Sequence, residues 1–279
     1  MILEDDAYFS KILDWVLQNK GFNGLQYKSN YMKRRIAVRM RATHAGNYRD
    51  YFHFLSKDPE ETTRLLDRLT IHVTDFFRDP GVYEALKEKV VPEILRGTPK
   101  GTIKVWSAAC STGEESYSLA SVWSECLVRQ PGFSWEIWAT DVDEASVQKA
   151  QLGEYDTGYL DKIPKKTAGK MFRLESGKLV VLPELRKRIR FIRQDLLGEW
   201  SSEFSGFDLI FCRNLLIYLT VSQQQKLYES FAKALRPGGF LVLGLTETLL
   251  GPARELYRCV DIRSRFYRVA GEADVKAGL

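Results

Sequence analysis

The stretch Lys104–Ala120, KVWSAACSTGEESYSLA, decides the fold. The run Ile103–Trp106 is β-branched and aromatic and reads as a buried strand. It stops in the small residues Ser107 to Gly113. Glu114 and Glu115 then open a helix with apolar positions at Leu119, Ala120 and Val122. A strand, a tight turn and a helix start together form a nucleotide-type pocket at the carboxyl end of a parallel strand. A phosphate there wants bare N–H groups and a Lys, so two acids in the first helical turn repel it. The turn favours a cationic or zwitterionic nucleoside. S-adenosylmethionine, with a sulfonium, an ammonium and no phosphate, has that chemistry.

Outward from this stretch, strand and helix alternate, which predicts an α/β fold with a parallel sheet. Further strands are expected at Trp135–Thr140, Ile189–Ile192, Phe207–Phe211 and Phe240–Gly244, with a helix over Ser222–Leu235 that ends in a turn at Arg236–Gly239. Leu256–Asp261 and Arg265–Val269 read as a closing antiparallel hairpin. Between Leu152 and Arg188 the rhythm breaks for longer than a plain loop allows, which predicts an inserted antiparallel β-subdomain over 152–188. Residues 1–75 read as a small helical domain, with helices at Tyr8–Asn19, Tyr31–Arg41, Tyr48–Leu55 and Pro59–Leu69. A linker, 76–101, with a helix from Pro80 to Leu95, leads into the α/β domain, 102–279.

Composition narrows the class. Of 279 residues, 44% are hydrophobic and 28% charged, as in soluble globular proteins. The start, MILEDDAYFS, has no signal-peptide pattern, and no apolar run approaches a membrane span. The four cysteines and three histidines are scattered, so no metal is expected, and reduced thiols suit a cytoplasmic protein. The net charge of +5 is concentrated between Lys28 and Arg49. Lys33, Arg34, Arg35, Arg39 and Arg41 read either as a solvated helix face or as a surface for an acidic partner.

Several residues sit where such a sheet binds its ligand. Asp141 ends the second strand and can accept both hydroxyls of a ribose, while Asp143 is the better helix N-cap. Asp195-Leu196 can meet an adenine edge or form an ordinary turn. Arg213-Asn214 follows directly on the strand Phe207–Phe211, with Tyr218 one or two turns on. Arg213 could equally form an ion pair with Asp208 or Asp195, and Tyr218 could be a half-buried helix tyrosine.

SAACSTGEESYSLA, ATDVD, FDLIFCRNLLIYL and LRPGGFLVLGLTE, in this order, resemble successive signatures of the chemotaxis protein methyltransferase (CheR) family. His72–Arg78 resembles the family's N-x-T-x-F-F-R linker, with His72 in place of the usual Asn, and Ser116 stands where Pro is common. Tyr31, Arg35, Arg39, Tyr48 and Tyr51 resemble its helical domain. The resemblance implies a Rossmann-like class I methyltransferase sheet. It implies methyl transfer from S-adenosylmethionine to chemoreceptor glutamates, giving methyl esters and S-adenosylhomocysteine. Position by position, it implies that His72, Thr74, Arg78, Glu115, Asp141, Asp195, Leu196, Arg213 and Asn214 line the cofactor site. Arg78 and Tyr218 would stand near the transferring methyl, and Glu114 would be only a helix-start residue favoured by the dipole. Arg35 and Arg39 would dock the acidic methylation helices of the receptors. In some members the inserted subdomain binds a tether peptide at a receptor's C-terminus.

Two other readings compete. The basic N-terminal face suits a nucleic-acid methyltransferase, but N/D-P-P-Y and Pro-Cys motifs are absent, so no nucleic acid is expected. A non-catalytic scaffold of the same fold would have little reason to keep Arg78, Glu115, Asp141 and Tyr218. A monomer without membrane insertion is expected.

Overall fold

The structure, a computed structural model, describes residues 2–71 and 73–270. Its contacts divide the chain into two units, Met1–Ile71 with Tyr218–Gln224, and His72–Ile217 with Gln225–Leu279. Among the described residues, no helix is long and apolar enough to cross a membrane.

The first unit is built from α1 (Ile2–Lys20), α2 (Ser29–Ala42), α3 (Tyr48–Leu55) and α4 (Pro59–Leu69). Phe9, Ile12, Leu13 and Val16 recur every three or four residues on α1 and are buried together, as the helical period requires. Side chains start the last two helices. Asn47 accepts from the Asp50 N–H at 2.8 Å, and Asp58 accepts from the Glu60 N–H at 2.9 Å, ahead of Pro59 in the first turn. The segment 218–224 joins this unit through a bridge between Tyr27 and Leu219.

The second unit begins with α5 (Pro80–Ala85), a π turn at Leu86–Val90 and α6 (Val91–Gly97). One continuous helix was expected here. Pro92 lacks the N–H that an α-helix would direct at residue 88, and the wider turn absorbs the gap. The sheet elements follow: β1 (Thr102–Ala108), α7 (Glu114–Leu127), β2 (Ser134–Asp141) and α8 (Glu144–Leu152). Next come β3 (Glu154–Asp156), α9 (Lys165–Met171), β4 (Phe172–Glu175), β5 (Lys178–Val181), α10 (Pro183–Arg186) and β6 (Ile189–Arg193). The chain ends with β7 (Phe207–Cys212), α11 (Val221–Ala234), β8 (Leu235–Leu243), β9 (Tyr257–Asp261) and β10 (Phe266–Val269). Arg236–Gly239, expected as a turn, lies inside β8, so the helix runs straight into the strand.

Seven strands form one sheet in the order β6-β2-β1-β7-β8-β10-β9. The first five are parallel, and β10 runs antiparallel to its two neighbours β8 and β9. Alternation along β1 builds the two sides of the core. Ile103 and Val105 face a cluster that holds Tyr83, Tyr117 and Trp123. Trp106 faces the other way, onto Trp200, Phe204, Phe207 and Phe231 at ring distances of 4.7 to 5.5 Å. Strand order reverses between β1 and β7, which opens a ligand crevice at their carboxyl ends.

β3, β5 and β4 form the separate antiparallel sheet of the insert. Ser176 and Gly177, both at positive φ (50° and 78°), make the tight turn of its hairpin. Phe76 packs edge-on against Tyr155, Tyr159 and Phe172 at 4.8, 5.3 and 5.2 Å, and Lys162 pairs with Asp75 at 2.6 Å. The insert is thereby fastened to the segment that carries Thr74 and Arg78.

Gly113 is needed twice over. Its φ is +95°, and a Cβ there would stand 2.8 Å from the Ala150 Cβ and 3.0 Å from the Tyr155 hydroxyl. Gly113→Ala is expected to lower the unfolding free energy by about 2 to 4 kcal/mol, from left-handed strain plus overpacking. Urea unfolding of the variant measures this, and a loss below about 0.5 kcal/mol would contradict the packing.

Candidate functional site

The carboxyl ends of β1, β2, β6, β7 and β8 bring most of the expected residues to one edge. The turn after β1 is unusually compact, with Ala109 and Ser111 at φ +61° and +49° ahead of Gly113. Asp141 ties this turn to β2. Its Oδ2 accepts from the Ser111 N–H at 2.8 Å and its Oδ1 from the Asp143 N–H at 3.0 Å. Asp143 caps α8 by accepting from the Ser146 N–H at 2.9 Å. After β6, Asp195 Oδ1 accepts from the Leu197 N–H at 2.8 Å, and Leu196 is buried.

Glu115 is the electrostatic centre of the site. It accepts from the Ser107 hydroxyl at 3.1 Å and lies 3.8 Å from the Arg213 guanidinium. Burial pushes its carboxyl up to about 7. Arg213, Ser107 and Arg78 oppose that shift, and Glu247 adds to it. Glu114, expected only as a helix-start residue favoured by the dipole, is 1% exposed and has partners of its own. It accepts from the Thr112 hydroxyl at 2.7 and 2.9 Å and from the Tyr159 hydroxyl at 3.2 Å, which links the turn to the inserted subdomain.

Arg213 pairs with neither Asp208 nor Asp195. Its Nη2 reaches the Asp79 carboxylate at 2.5 Å and its Nη1 donates to the Arg78 carbonyl at 3.0 Å. Asp208 is held by Arg236, Thr98 and the Lys104 N–H. Arg213 therefore clamps the Arg78–Asp79 segment to the end of β7. Arg78 in turn donates to the Val73 carbonyl at 3.0 Å. Phe77 and Asp79 on either side of Arg78 have φ of +49° and +58°, and Asn214 has +62°. Strained backbone thus concentrates where the expected ligand contacts lie.

Among the described residues, four buried polar atoms at this edge have no hydrogen-bond partner: Ser111 Oγ, Ser116 Oγ, Arg213 Nε and Asn214 Oδ1. Buried polar groups are rarely left so. Thr74 is half-buried in the same linker. His72, the other expected linker contact, lies outside the described residues.

The remaining expected residues fall in the helical unit. Tyr218 lies 4.6 Å from Tyr31, and its carbonyl accepts from the Lys28 N–H at 2.8 Å. The Arg35 guanidinium stacks over Tyr31 at 5.2 Å. Arg39, expected on a free docking face, is taken up by a buried acid. Its Nε and Nη2 bond Glu61 Oε1 and Oε2 at 2.9 and 2.6 Å, and the Tyr51 hydroxyl donates to Oε1 at 2.7 Å. Glu61 is fully buried, so Arg39 serves the core of this unit and not an open surface.

Residues 72–266 match the family model described as CheR methyltransferase, SAM binding domain, and residues 7–70 match the CheR methyltransferase all-alpha domain. The chain belongs to the CheR methyltransferase family. The chemotaxis protein methyltransferase of Listeria monocytogenes is 34% identical to this CheR chain, covering 95% of it and 97% of the relative. Chemotaxis protein methyltransferase 2 of Vibrio cholerae is 32% identical, covering 89% and 88%. This CheR protein is an S-adenosylmethionine-dependent methyltransferase of chemotaxis.

Sequence reasoning missed Asp79, Ser107 and Glu247. Asp79 and Ser107 carry no local signal, since an Asp after an Arg and a Ser near the end of a strand are commonplace. Glu247 ends the quoted LRPGGFLVLGLTE segment, but only the folded chain gives it partners.

Proposed function

We propose that this chain esterifies glutamate side chains in the acidic methylation helices of chemoreceptors, in the cytoplasm and as a monomer. What carries this reading is the set of orphaned polar atoms around Glu115, at a crevice with no phosphate-binding lysine in its turn. Those residues fit S-adenosylmethionine. Glu115 suits its ammonium, and Asn214 and Ser111 offer unpartnered buried oxygens. Asp141, fixed at the end of β2 by accepting from the Ser111 and Asp143 N–H groups, is the acid placed for ribose hydroxyls. Asp195, Leu196, Thr74 and Arg213 complete the cofactor set, with His72 included from the family pattern.

When bound, S-adenosylmethionine supplies a methyl on a positively charged sulfur, which a carboxylate takes as an ester while the sulfur leaves as a neutral thioether. A glutamate with a pKa of about 4.3 is already an anion, so the protein supplies no general base. Arg78 orients a carboxylate by a charge-assisted bond without withdrawing its electrons into a tight ground-state pair. Tyr218 aims one oxygen by a single hydrogen bond. Catalysis then rests on positioning and on exclusion of water.

Radiolabelled methyl transfer to receptor-containing membranes, with the label released by mild base, tests the reaction. Base-stable label, or label on added DNA or RNA instead, would overturn it. Arg78→Ala and Tyr218→Phe are each expected to lower turnover about 10- to 100-fold. Unchanged turnover in either variant would remove that residue from the mechanism. With Arg39 engaged by Glu61, the docking role rests on Arg34 and Arg35 of α2. Their charge reversal should weaken receptor methylation and its salt sensitivity together. The edge of the inserted sheet is the proposed site for a receptor tether peptide.

A further inference from the structure

We propose that Glu247 is a positioning residue of the methyltransfer site, holding the loop Arg213–Ile217 in the shape that receives S-adenosylmethionine. The proposal rests on the reading that Asn214 and Arg213 belong to the cofactor site.

β7 and β8 lie side by side in parallel, with Cys212 opposite Leu243, and both end at the crevice. The paired register ends at Cys212 and Leu243, and the N–H groups beyond it fall outside the ladder. Glu247 supplies acceptors in its place. It is 3% exposed. Its Oε2 accepts from the Gly244 N–H at 2.7 Å and the Asn214 N–H at 2.9 Å. Its Oε1 accepts from the Leu216 N–H at 2.7 Å and the Ile217 N–H at 3.3 Å. A carboxylate is acceptor-only with about four lone-pair sites, so this set of four donors suits an ionised acid and no neutral side chain. Burial pushes the Glu247 carboxyl up, and these backbone bonds hold it down.

The consequence falls on Asn214. With its N–H fixed to Glu247 and its φ at +62°, its side-chain Oδ1 stays buried without a protein partner. Such an unmet acceptor persists only where the surrounding bonds over-determine it. Gly244 makes room for the arrangement. A Cβ there would stand 2.7 Å from Glu247 Oε2 and 2.9 Å from the Asn214 nitrogen. The lengths of β7 and β8, the spacing between Gly244 and Glu247 and the missing side chain at Gly244 converge on one loop geometry.

Glu247→Gln keeps the volume but turns an NH2 group toward backbone donors. Gly244→Ala keeps the carboxylate and wedges it away from Asn214. Both are expected to raise the dissociation constant for S-adenosylmethionine at least tenfold by calorimetry, with the KM for receptor unchanged. Glu247→Asp should fall between wild type and Glu247→Gln. Glu247 also raises the Glu115 carboxyl, so Glu247→Gln should move the acid limb of cofactor binding to lower pH, a shift that lost stability alone does not produce. Cofactor affinity within twofold of wild type in Glu247→Gln or Gly244→Ala, in protein that unfolds cooperatively, overturns the proposal. If Glu247→Gln does not fold, Glu247→Asp and Gly244→Ala decide in the same way. Failure of wild-type protein to bind S-adenosylmethionine would count against the site assignment itself, not against Glu247.

Discussion

Replacing Glu115 by Gln is expected to weaken S-adenosylmethionine binding about 10- to 100-fold at pH 7.5 and to remove most of its pH dependence between 5.5 and 7.5. The cause is the cost of burying this acid. Its side chain is 13% exposed, and burial raises its carboxyl to about 7 against the pull of Arg213, Ser107 and Arg78. Without cofactor, Glu115 is protonated below pH 7 and ionised above it. A cationic ammonium favours the ionised form, so it lowers the carboxyl's pKa in the complex. Binding below pH 7 must then release a proton, and affinity falls as pH drops through 7, by at most tenfold per unit. The cofactor-free protein has the opposite sign. Its folded carboxyl is raised above the unfolded value, so its contribution to stability is fully present only below the unfolded pKa of 4.5 and is lost as pH rises through about 7. Calorimetry at pH 6 in buffers of different ionisation enthalpy reads the proton directly. Proton-neutral binding by wild type, or unchanged affinity in Glu115→Gln, would contradict the assignment.

Arg39→Ala is expected to destabilise the helical unit by about 3 to 5 kcal/mol. The loss would exceed that of a surface arginine because it strips the Glu61 carboxylate, at 0% exposure, of its two close charge-assisted bonds and leaves Arg64, at 3.9 Å, as its cation. The Tyr51 hydroxyl would still donate to Glu61, and burial beside Glu61 has already pushed its pKa far up. Arg39→Lys should recover only part of the loss, since an ammonium cannot make the two bonds that the guanidinium makes to Oε1 and Oε2. Urea unfolding separates this effect from docking. A variant with wild-type stability but weakened receptor methylation would return Arg39 to the docking face.

These two expectations differ in how far they could be seen in the sequence. For Glu115 the local pattern goes part of the way: a strand, small residues and two acids at a helix start place carboxylates at a crevice, and the family resemblance singles out Glu115 over Glu114. The capping acids Asp58 and Asp143 and the tight turn at Gly113 are legible for the same reason. Each satisfies a backbone need within a few residues. Arg39 shows where this stops. It shares a basic stripe with Arg35 on α2, and nothing in the stripe reveals that one arginine meets a buried acid on α4. The π turn before Pro92 follows a proline rule but was read as plain helix, because a wide turn and an α turn carry the same apolar period.

The sequence by itself determined the order of chemistry along the chain: the tight turn before Gly113, which begins after Ala108 and not at Ser107, the acid at Asp141, the pair Arg213-Asn214 and the alternation that makes a parallel sheet. These are short-range signals, set by side-chain period and backbone conformation. Only the tertiary structure decided which charges are occupied. Arg213 turned to Asp79, Arg39 to Glu61, Glu114 to Tyr159, and Glu247 to four backbone N–H groups. The physical reason is that a charged side chain looks the same in sequence whether solvated or buried. Its partner is chosen by packing, across tens to more than a hundred residues of chain.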